Sequence, residues 1–244
     1  MTRARQDWLV DVVDLLPTLR MLRFPVGQAY LWRDPDALTL IDTGLAGSGP
    51  DITRAIIGFG LTPTDLDRVV LTHFHDDHAG AAAEVGDWGE VTVMAHHREA
   101  PIIRGQTPGP PPVLTDGEPE LFAAIVGNGL PPAPPARVDC ELEDGDVLAF
   151  GGAHVLAVPG HTDGGIALYL PHSGVLFTGD TIAAGRNGEV ILGPFNLNRS
   201  EAARSFRRLV ALDSTSAVFG HGEPILTDAA TVLSEATSRL PRSQ

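Results

Sequence analysis

Short apolar runs, separated by glycine, proline and acidic residues, recur along the chain. Six of these runs are rich in β-branched residues and are apolar at successive positions instead of alternating. Such continuity is typical of strands that are buried on both faces. The predicted strands cover residues 37–41, 67–72, 91–95, 154–158, 166–170 and 174–178.

Between and after these runs, apolar residues recur at the three- and four-residue spacing of a helix. This spacing predicts helices over residues 50–60, 200–212 and 227–240, with Ser200 as the N-cap of the second. Strands interleaved with helices indicate an α/β architecture in which the helices lie outside the sheet. A chain of 244 residues can bury a substantial core, so residues 1–244 are predicted to form a single domain.

Residues 97–136 are predicted to be a proline-rich insertion. Two proline-rich stretches, residues 107–113 and 130–136, flank a segment at 118–129 that could form one helix. Long loops in compact domains are usually either disordered connections or covers of active sites. The composition favours neither interpretation, so the insertion is an irregular surface linker or an active-site lid.

The net charge of the chain limits the classes of binding partner that are expected. Seventeen basic and 31 acidic residues give a formal net charge of −14. A surface of this sign repels phosphate backbones and anionic membranes, so neither nucleic acid nor a membrane is an expected partner. A small-molecule substrate is expected instead. The oligomeric state stays open, with a homodimer as one of the alternatives.

The cysteine content and the length of the apolar runs indicate the cellular compartment of the protein. Cys140 is the only cysteine, which excludes an intrachain disulfide and a cysteine-based metal centre. The N-terminal residues lack the continuous apolar core of a signal peptide, and no run reaches the length of a membrane span. These features predict a cytoplasmic protein.

Residue types that can bind metals or transfer protons are most concentrated in residues 73–78, which hold three of the nine histidines and two aspartates. In extended chain, side chains two residues apart point the same way, so His73, His75 and Asp77 can converge. His78, at the start of a predicted helix, leans toward the same space. Neutral imidazole and carboxylate suit zinc and other first-row metals, so this segment predicts half of a metal site.

Three further residues share one local context. His161, Asp180 and His221 each follow an apolar run. Catalytic groups in α/β proteins collect at strand ends, where loops on a rigid scaffold position them. Each residue taken singly is more typical of a loop hydrogen bond, but together with residues 73–78 they predict a metal-dependent catalytic site.

In this order and spacing, seven histidines and aspartates resemble the ligand set of the metallo-β-lactamase superfamily, particularly its glyoxalase II-like and lactonase-like hydrolases. The matching positions are His73, His75, Asp77, His78, His161, Asp180 and His221. The stretch LIDTG, which contains Asp42, resembles an early strand-end motif of the same superfamily. The resemblance implies an α/β fold that forms a four-layer αββα sandwich, with the site along one edge of the two sheets.

The resemblance also implies roles for these residues. His73, His75 and His161 would bind one divalent ion; Asp77, His78 and His221 would bind a second; Asp180 would bridge the two. Asp42 would orient a ligating histidine. Zinc is the expected metal, with iron or manganese as alternatives.

Two close divalent ions can hold a hydroxide between them at working pH, and this hydroxide would attack the carbonyl carbon of a small ester, thioester or lactone. Asp77 and Asp180 are the expected catalytic carboxylates, with Asp77 as proton acceptor or shuttle. Arg186, as an anion hook, and Phe195, as an apolar contact, are the expected substrate-binding residues.

Departures from each branch of the superfamily narrow the expected substrate. Asp180 argues against a true β-lactamase, which generally lacks this bridging aspartate. The few residues after His221 leave no room for the helical domain with which glyoxalase II grips glutathione. Ala183 stands where acyl-homoserine lactonases carry a tyrosine.

Two other classes stay open. Some relatives use one iron to oxidise persulfides, with His73, His75 and His161 as ligands and Asp180 on the same iron. A scaffold that binds metal without turnover is the third alternative.

Overall fold

Two β-sheets face each other, and helices cover the outer face of each sheet. The computed structural model describes residues 10–115, 117–127, 129–185 and 187–240. The first sheet has seven strands and the second has four. This order of layers confirms the predicted αββα sandwich.

The first sheet contains strands β1 to β7 in chain order. Strands β1 to β4 pair in antiparallel fashion, and β4 to β7 pair in parallel. Parallel pairing brings the carboxyl ends of neighbouring strands to one edge of the sheet. The strands are β1 (Asp11–Leu16), β2 (Leu19–Arg23), β3 (Gln28–Arg33), β4 (Leu38–Ile41), β5 (Leu66–Leu71), β6 (Thr92–His96) and β7 (Cys140–Leu142).

The second sheet has the strand order β13-β10-β9-β8. Strand β10 is parallel to β13 and antiparallel to β9, which is itself antiparallel to β8. Strands β8, β10 and β13 therefore run in the same direction and end at the same edge. The remaining strands are β8 (His154–Ala157), β9 (Ile166–Leu170), β10 (Val175–Phe177), the hairpin of β11 (Ile182–Ala184) and β12 (Val190–Leu192), and β13 (Ser216–Val218).

The helices lie outside the sheets and at the edge where the strands end. They are α1 (Gly49–Gly58), α2 (Asp76–Ala79), α3 (Ala82–Gly86), α4 (Ala100–Ile103), α5 (Glu118–Val126), α6 (Arg199–Val210) and α7 (Ala229–Ala236). Within the described residues, none of the helices has the length and apolar character needed to cross a bilayer.

Three apolar layers hold this arrangement together. Phe150, Leu168 and Phe177 belong to the layer between the two sheets. Ile52 of α1 belongs to the layer outside the first sheet, and Phe206 of α6 to the layer outside the second. All five side chains are essentially inaccessible to solvent, as expected when each sheet is covered on both faces.

All six predicted strands are present, each displaced by no more than one residue at either end. The three predicted helices and the helix in the insertion are also confirmed, but Ser200 is not an N-cap. Asn198 occupies that position, and its side chain accepts a hydrogen bond from the backbone N–H of Glu201 at 3.1 Å. The N-cap lies two residues earlier than predicted, which places Ser200 inside the first turn of the helix.

Candidate metal centre

The segment that follows β5 carries four of the predicted ligands. Strand β5 is buried between β4 and β6 and ends at Leu71. His73 and His75 follow in extended chain, and Asp77 and His78 lie in the short helix α2. Only His75 of the four is not fully buried, so the strand end delivers these side chains directly to the interior edge of the sandwich.

The other three predicted ligands come from the second sheet. His161 follows β8, Asp180 lies in a 3-10 turn after β10, and His221 follows β13. Because these three strands run in the same direction, their carboxyl ends meet at one edge, facing the end of β5. The structure brings all seven predicted residues together.

Three ring nitrogens form the first group. Nδ1 of His75 lies 3.1 Å from Nε2 of His73 and 3.0 Å from Nε2 of His161. Donor atoms of the three side chains all lie within 4.8 Å of one another. Burial lowers the pKa of His73, His75 and His161, that of His75 to about 3, so these rings are neutral and offer lone pairs.

Asp77, His78 and His221 form the second group, and their donor atoms meet the same 4.8 Å limit. Nε2 of His221 lies 3.2 Å from Oδ2 of Asp77, and Nε2 of His78 lies 3.6 Å from the same oxygen. Burial alone would lower the pKa of His221, but the Asp180 and Asp77 carboxylates raise it to about 10. Without a metal, a proton on His221 therefore compensates charge that a cation would otherwise compensate.

Asp180 lies between the two groups. Its Oδ2 is 3.6 Å from Nε2 of His161 and 3.2 Å from Nε2 of His221. Its Oδ1 is 3.3 Å from Nε2 of His78. Burial raises the pKa of the Asp180 carboxyl, but the neighbouring His221 and His78 rings outweigh burial and hold the pKa well below its usual range. The carboxylate is therefore ionised, with Oδ2 close to a ring nitrogen of each group and Oδ1 close to His78 of the second group.

Asp42 fixes the orientation of two histidine rings. Its Oδ2 lies 2.8 Å from Nδ1 of His78 and accepts a hydrogen bond from Oγ1 of Thr72 at 2.7 Å. Because the Thr72 hydroxyl donates to Asp42, its oxygen can accept the Nδ1 proton of His73, 3.0 Å away. Both rings then carry their proton on Nδ1 and direct the lone pair of Nε2 into the site. The sequence prediction assigned Asp42 this orienting role.

The residues present fit a metal centre. Nε2 of His78 and Oδ1 of Asp180 are buried and lack a hydrogen-bond partner, which is costly unless a ligand satisfies them. Both atoms face the space between the two groups. Imidazole nitrogens and carboxylate oxygens are suitable donors for first-row divalent metals. The cluster is therefore built to hold metal ions.

Glu99 is a further residue of the site that the sequence did not reveal. Its Oε2 accepts a hydrogen bond from the backbone N–H of Phe74, and its Oε1 accepts one from Gly164, both at 2.8 Å. It thereby connects the loop of His73 and His75 with the loop of His161. Burial raises its pKa to about 7. No motif marks this residue, since its contacts depend on loops that are distant along the chain.

The cluster opens into a cavity of about 410 Å³, within the size range of small-molecule sites. Phe195, one of the two predicted substrate contacts, lines this cavity. Arg186, the other, lies outside the described residues, so its role stays a prediction. Helix α5 of the insertion at residues 97–136 also lines the cavity. The insertion thus lies at the site, as the lid interpretation requires, whereas its opening and closing stay a prediction.

Comparison with known sequences identifies one family. The sequence model of the metallo-beta-lactamase superfamily matches residues 22–221. The chain is 30% identical over 211 residues to the probable metallo-hydrolase YflN of Bacillus subtilis, which covers 79% of this chain and 78% of that protein. It is 29% identical over 186 residues to a hydroxyacylglutathione hydrolase of Synechococcus, which covers 72% of this chain and 58% of that protein.

Solved structures show the same fold. A metallo-beta-lactamase family protein from Thermus thermophilus superposes with a TM-score of 0.64 and 26% identity, covering 93% of this chain and 80% of that one. The subclass B3 metallo-beta-lactamase BJP-1 of Bradyrhizobium japonicum superposes with a TM-score of 0.71 and 20% identity, covering 98% and 94%. At 20% identity, the similarity to BJP-1 shows the fold alone.

Proposed function

Because the chain belongs to the metallo-β-lactamase superfamily, and its relatives include metallo-hydrolases, we propose that it is a dinuclear zinc hydrolase of small esters, thioesters or lactones. One observation carries the proposal. Two groups of three donor side chains each converge within 4.8 Å, and Asp180 presents oxygens to both. A single ion would use one group and leave the buried donors of the other unsatisfied.

The choice of zinc follows from the donors. Five imidazoles and two carboxylates supply the mixed nitrogen and oxygen set that zinc accepts without a geometric preference of its own. The three neutral rings of His73, His75 and His161 suit one position. The more acidic set of Asp77, His78 and His221 suits the other.

When bound, two such ions supply an activated water and an electrophile for the carbonyl oxygen of the substrate. The side chains of this protein provide the rest. Asp180 would contribute carboxylate oxygens to both positions, while Asp42 and Thr72 hold the rings of His78 and His73 in one tautomer. Asp77 lines the cavity, so its carboxylate can take the proton of the attacking water and pass it to the leaving group.

The first experiment is a hydrolysis panel with zinc-loaded protein. The panel contains a lactone, a glutathione thioester, an aryl ester and a cephalosporin, and metal content is determined on the same sample. We expect two zinc ions per chain and turnover of at least one of the first three compounds. Asp180→Ala should abolish turnover and lower the zinc content, whereas Asp36→Ala, in an exposed turn, should change neither.

A content of one iron per chain, with oxygen-dependent oxidation of a persulfide and no hydrolysis, would replace this proposal with the oxidase alternative. Two bound metals with no turnover on any panel member or persulfide would favour a scaffold. Preference for the cephalosporin would contradict the substrate class, since its β-lactam is an amide and not an ester, thioester or lactone.

A further inference from the structure

The cavity that opens from the metal cluster has two unlike ends. At its inner end, His75, Asp77, His161, Asp180 and His221 face the cavity. At its outer end the lining is apolar, with side chains contributed by α5, by the β11–β12 hairpin and by the segment that follows this hairpin. A substrate whose carbonyl lies at the cluster must therefore place the remainder of the molecule against apolar side chains.

Helix α5 presents its apolar side chains to this cavity and does not bury them in a core. Leu121 and Ile125 are four residues apart, on one face of the helix, and line the cavity. Their exposed fractions are 37% and 38%, and they are two of the few large apolar side chains that stay exposed among the described residues. A converging group of exposed apolar side chains marks a binding surface more often than a solvated one.

Phe195 forms the facing side of the same surface. Its ring meets the ring of Phe122 edge-on, with centroids 5.1 Å apart. Its backbone has φ of 62°, a left-handed conformation that is costly for a bulky residue and that clusters at ligand sites. Glu118 supports this conformation by accepting the backbone N–H of Phe195 at 3.3 Å. We call α5 together with Phe195 the α5 wall.

The charged side chains that line the cavity further restrict the chemical class of the ligand. The chain contains no lysine, and no arginine lies among the described residues that line the cavity. The charged groups there are the carboxylates of Asp76, Asp77 and Asp180 and the histidine rings of the cluster. An anionic substrate tail would meet no cation among the described residues that line the cavity, and would lose hydration without compensation.

We infer that the acyl part of the substrate is an uncharged apolar chain that lies along the α5 wall while its carbonyl faces the metal cluster. This inference rests on the proposed hydrolase function and specifies its substrate class. The contrasting class is a thioester whose thiol part is anionic, such as a glutathione conjugate. Arg186, which follows the lining residue Gly185, would be the group that favours the contrasting class.

The test is a series of p-nitrophenyl esters from acetate through butyrate and hexanoate to octanoate, with S-lactoylglutathione as the anionic comparator. Each methylene buried on the α5 wall should raise kcat/KM by up to about fourfold, until the cavity is filled. The double variant Leu121→Asn, Ile125→Asn should flatten this rise. Val232→Asn is the matched control, since Val232 is 37% exposed on α7, outside the cavity, and should keep the rise.

A binding measurement separates failure of this inference from failure of the proposed function. Octanamide, which is neutral and is not an ester, should displace the neutral dye Nile red from the wild type, and the double variant should weaken the binding of both. Ester turnover that is independent of chain length, with unchanged octanamide binding in the double variant, would overturn the inference and keep the hydrolase. Absence of ester turnover, with octanamide binding that depends on Leu121 and Ile125, would overturn the hydrolase and support an apolar ligand. Preference for S-lactoylglutathione that Arg186→Gln removes would establish the anionic class instead.

Discussion

The metal cluster and the α5 wall lie on opposite sides of one cavity, but they are held in different ways. Cluster residues follow buried strands, and carboxylates or hydroxyls that are themselves buried fix the rings of His73 and His78. In the α5 wall, Glu118 is the only buried residue of the helix. The strands of the two sheets therefore position the cluster directly, whereas α5 is a segment attached to the outside of the sandwich.

Among the described residues, a small number of polar contacts connects α5 and the segments that flank it to the sandwich. The backbone N–H of Val113 donates to the carbonyl of Asn196 at 3.0 Å, and that of Ala133 donates to Oδ1 of Asp76 at 2.8 Å. Glu118 supplies two further contacts of α5, with the backbone N–H of Phe195 and with the guanidinium of Arg199 on α6. Substitutions in the wall can thus change which substrate fits without disturbing the chemistry, whereas substitutions around the cluster should affect every substrate alike.

After the loss of Asp180 itself, the largest effect is expected from Gly220→Ala. An added Cβ would lie 1.9 Å from Oδ1 of Asp180 and 2.7 Å from Cε1 of His78, so two donors must move. A displacement of about 1 Å can cost about 100-fold in rate, so kcat/KM should fall at least that far for all esters, together with metal content.

Gly60→Ala is the control for the added methyl group, because a Cβ there meets no heavy atom within 4 Å. Its positive φ of 76° should cost some stability but no activity per folded molecule. Full activity in Gly220→Ala would show that the cluster is less rigid than its burial indicates.

The next effect concerns Asp42→Asn. The amide keeps the shape of the side chain but cannot accept hydrogen bonds from His78, Thr72 Oγ1 and Thr72 N–H together, as the carboxylate does. Loss of such an orienting carboxylate typically costs about 10- to 100-fold in metal affinity, measured by competition with a chelator at fixed pH. Asp67→Asn, at a carboxylate that accepts the N–H of Leu38 away from the cluster, should leave the affinity unchanged. Equal affinities in both variants would assign Asp42 a structural role only.

The same comparison explains what the sequence could predict. The convergence of the seven histidines and aspartates was predictable because strand ends deliver these side chains and because metal chemistry restricts the residue types, as in His73 to His78. The strands without a continuous apolar run, such as β2 with its two arginines, were not predicted. Glu99 could not be found, since its function depends on two loops that are close only in the folded chain. The position of α5 depended in the same way on distant contacts, such as those of Val113 and Ala133 with the sandwich, although its helical sequence was recognisable.

Glu99→Gln should give a smaller effect, on the cluster side of the comparison. A glutamine oxygen can accept one of the two backbone N–H groups, so the loops of Phe74 and Gly164 separate and kcat/KM should fall about tenfold for every ester.

Stability against pH provides a second readout for Glu99. Burial, with the nearby Asp163 carboxylate, raises its pKa from 4.5 to about 7, so between these values the folded state binds more protons than the unfolded state. The free energy of unfolding contributed by Glu99 therefore decreases as pH rises from about 4.5 to 7. Urea unfolding of the metal-free protein should show a shallower decrease in Glu99→Gln than in the wild type or in Glu90→Gln, an exposed control. Parallel curves for all three proteins would contradict the raised pKa.

The smallest effect should come from Glu118→Gln, on the wall side. Glu118 accepts the N–H groups of Thr115 and Phe195 and pairs with Arg199 at 3.4 Å, so the neutral variant holds α5 and Phe195 less firmly. An ion pair with an exposed partner is worth up to about 1 kcal/mol, which limits the expected rise in KM to about fivefold. Since Glu118 acts through the α5 wall, KM for the octanoate ester should rise more than KM for the acetate ester.

Glu201→Gln is the control. This substitution removes the Glu201 to Arg204 pair on α6, outside the cavity, and should change neither KM value. An equal loss for both esters in Glu118→Gln would show that wall and cluster are coupled, and that the cavity does not divide into a chemical end and a substrate end.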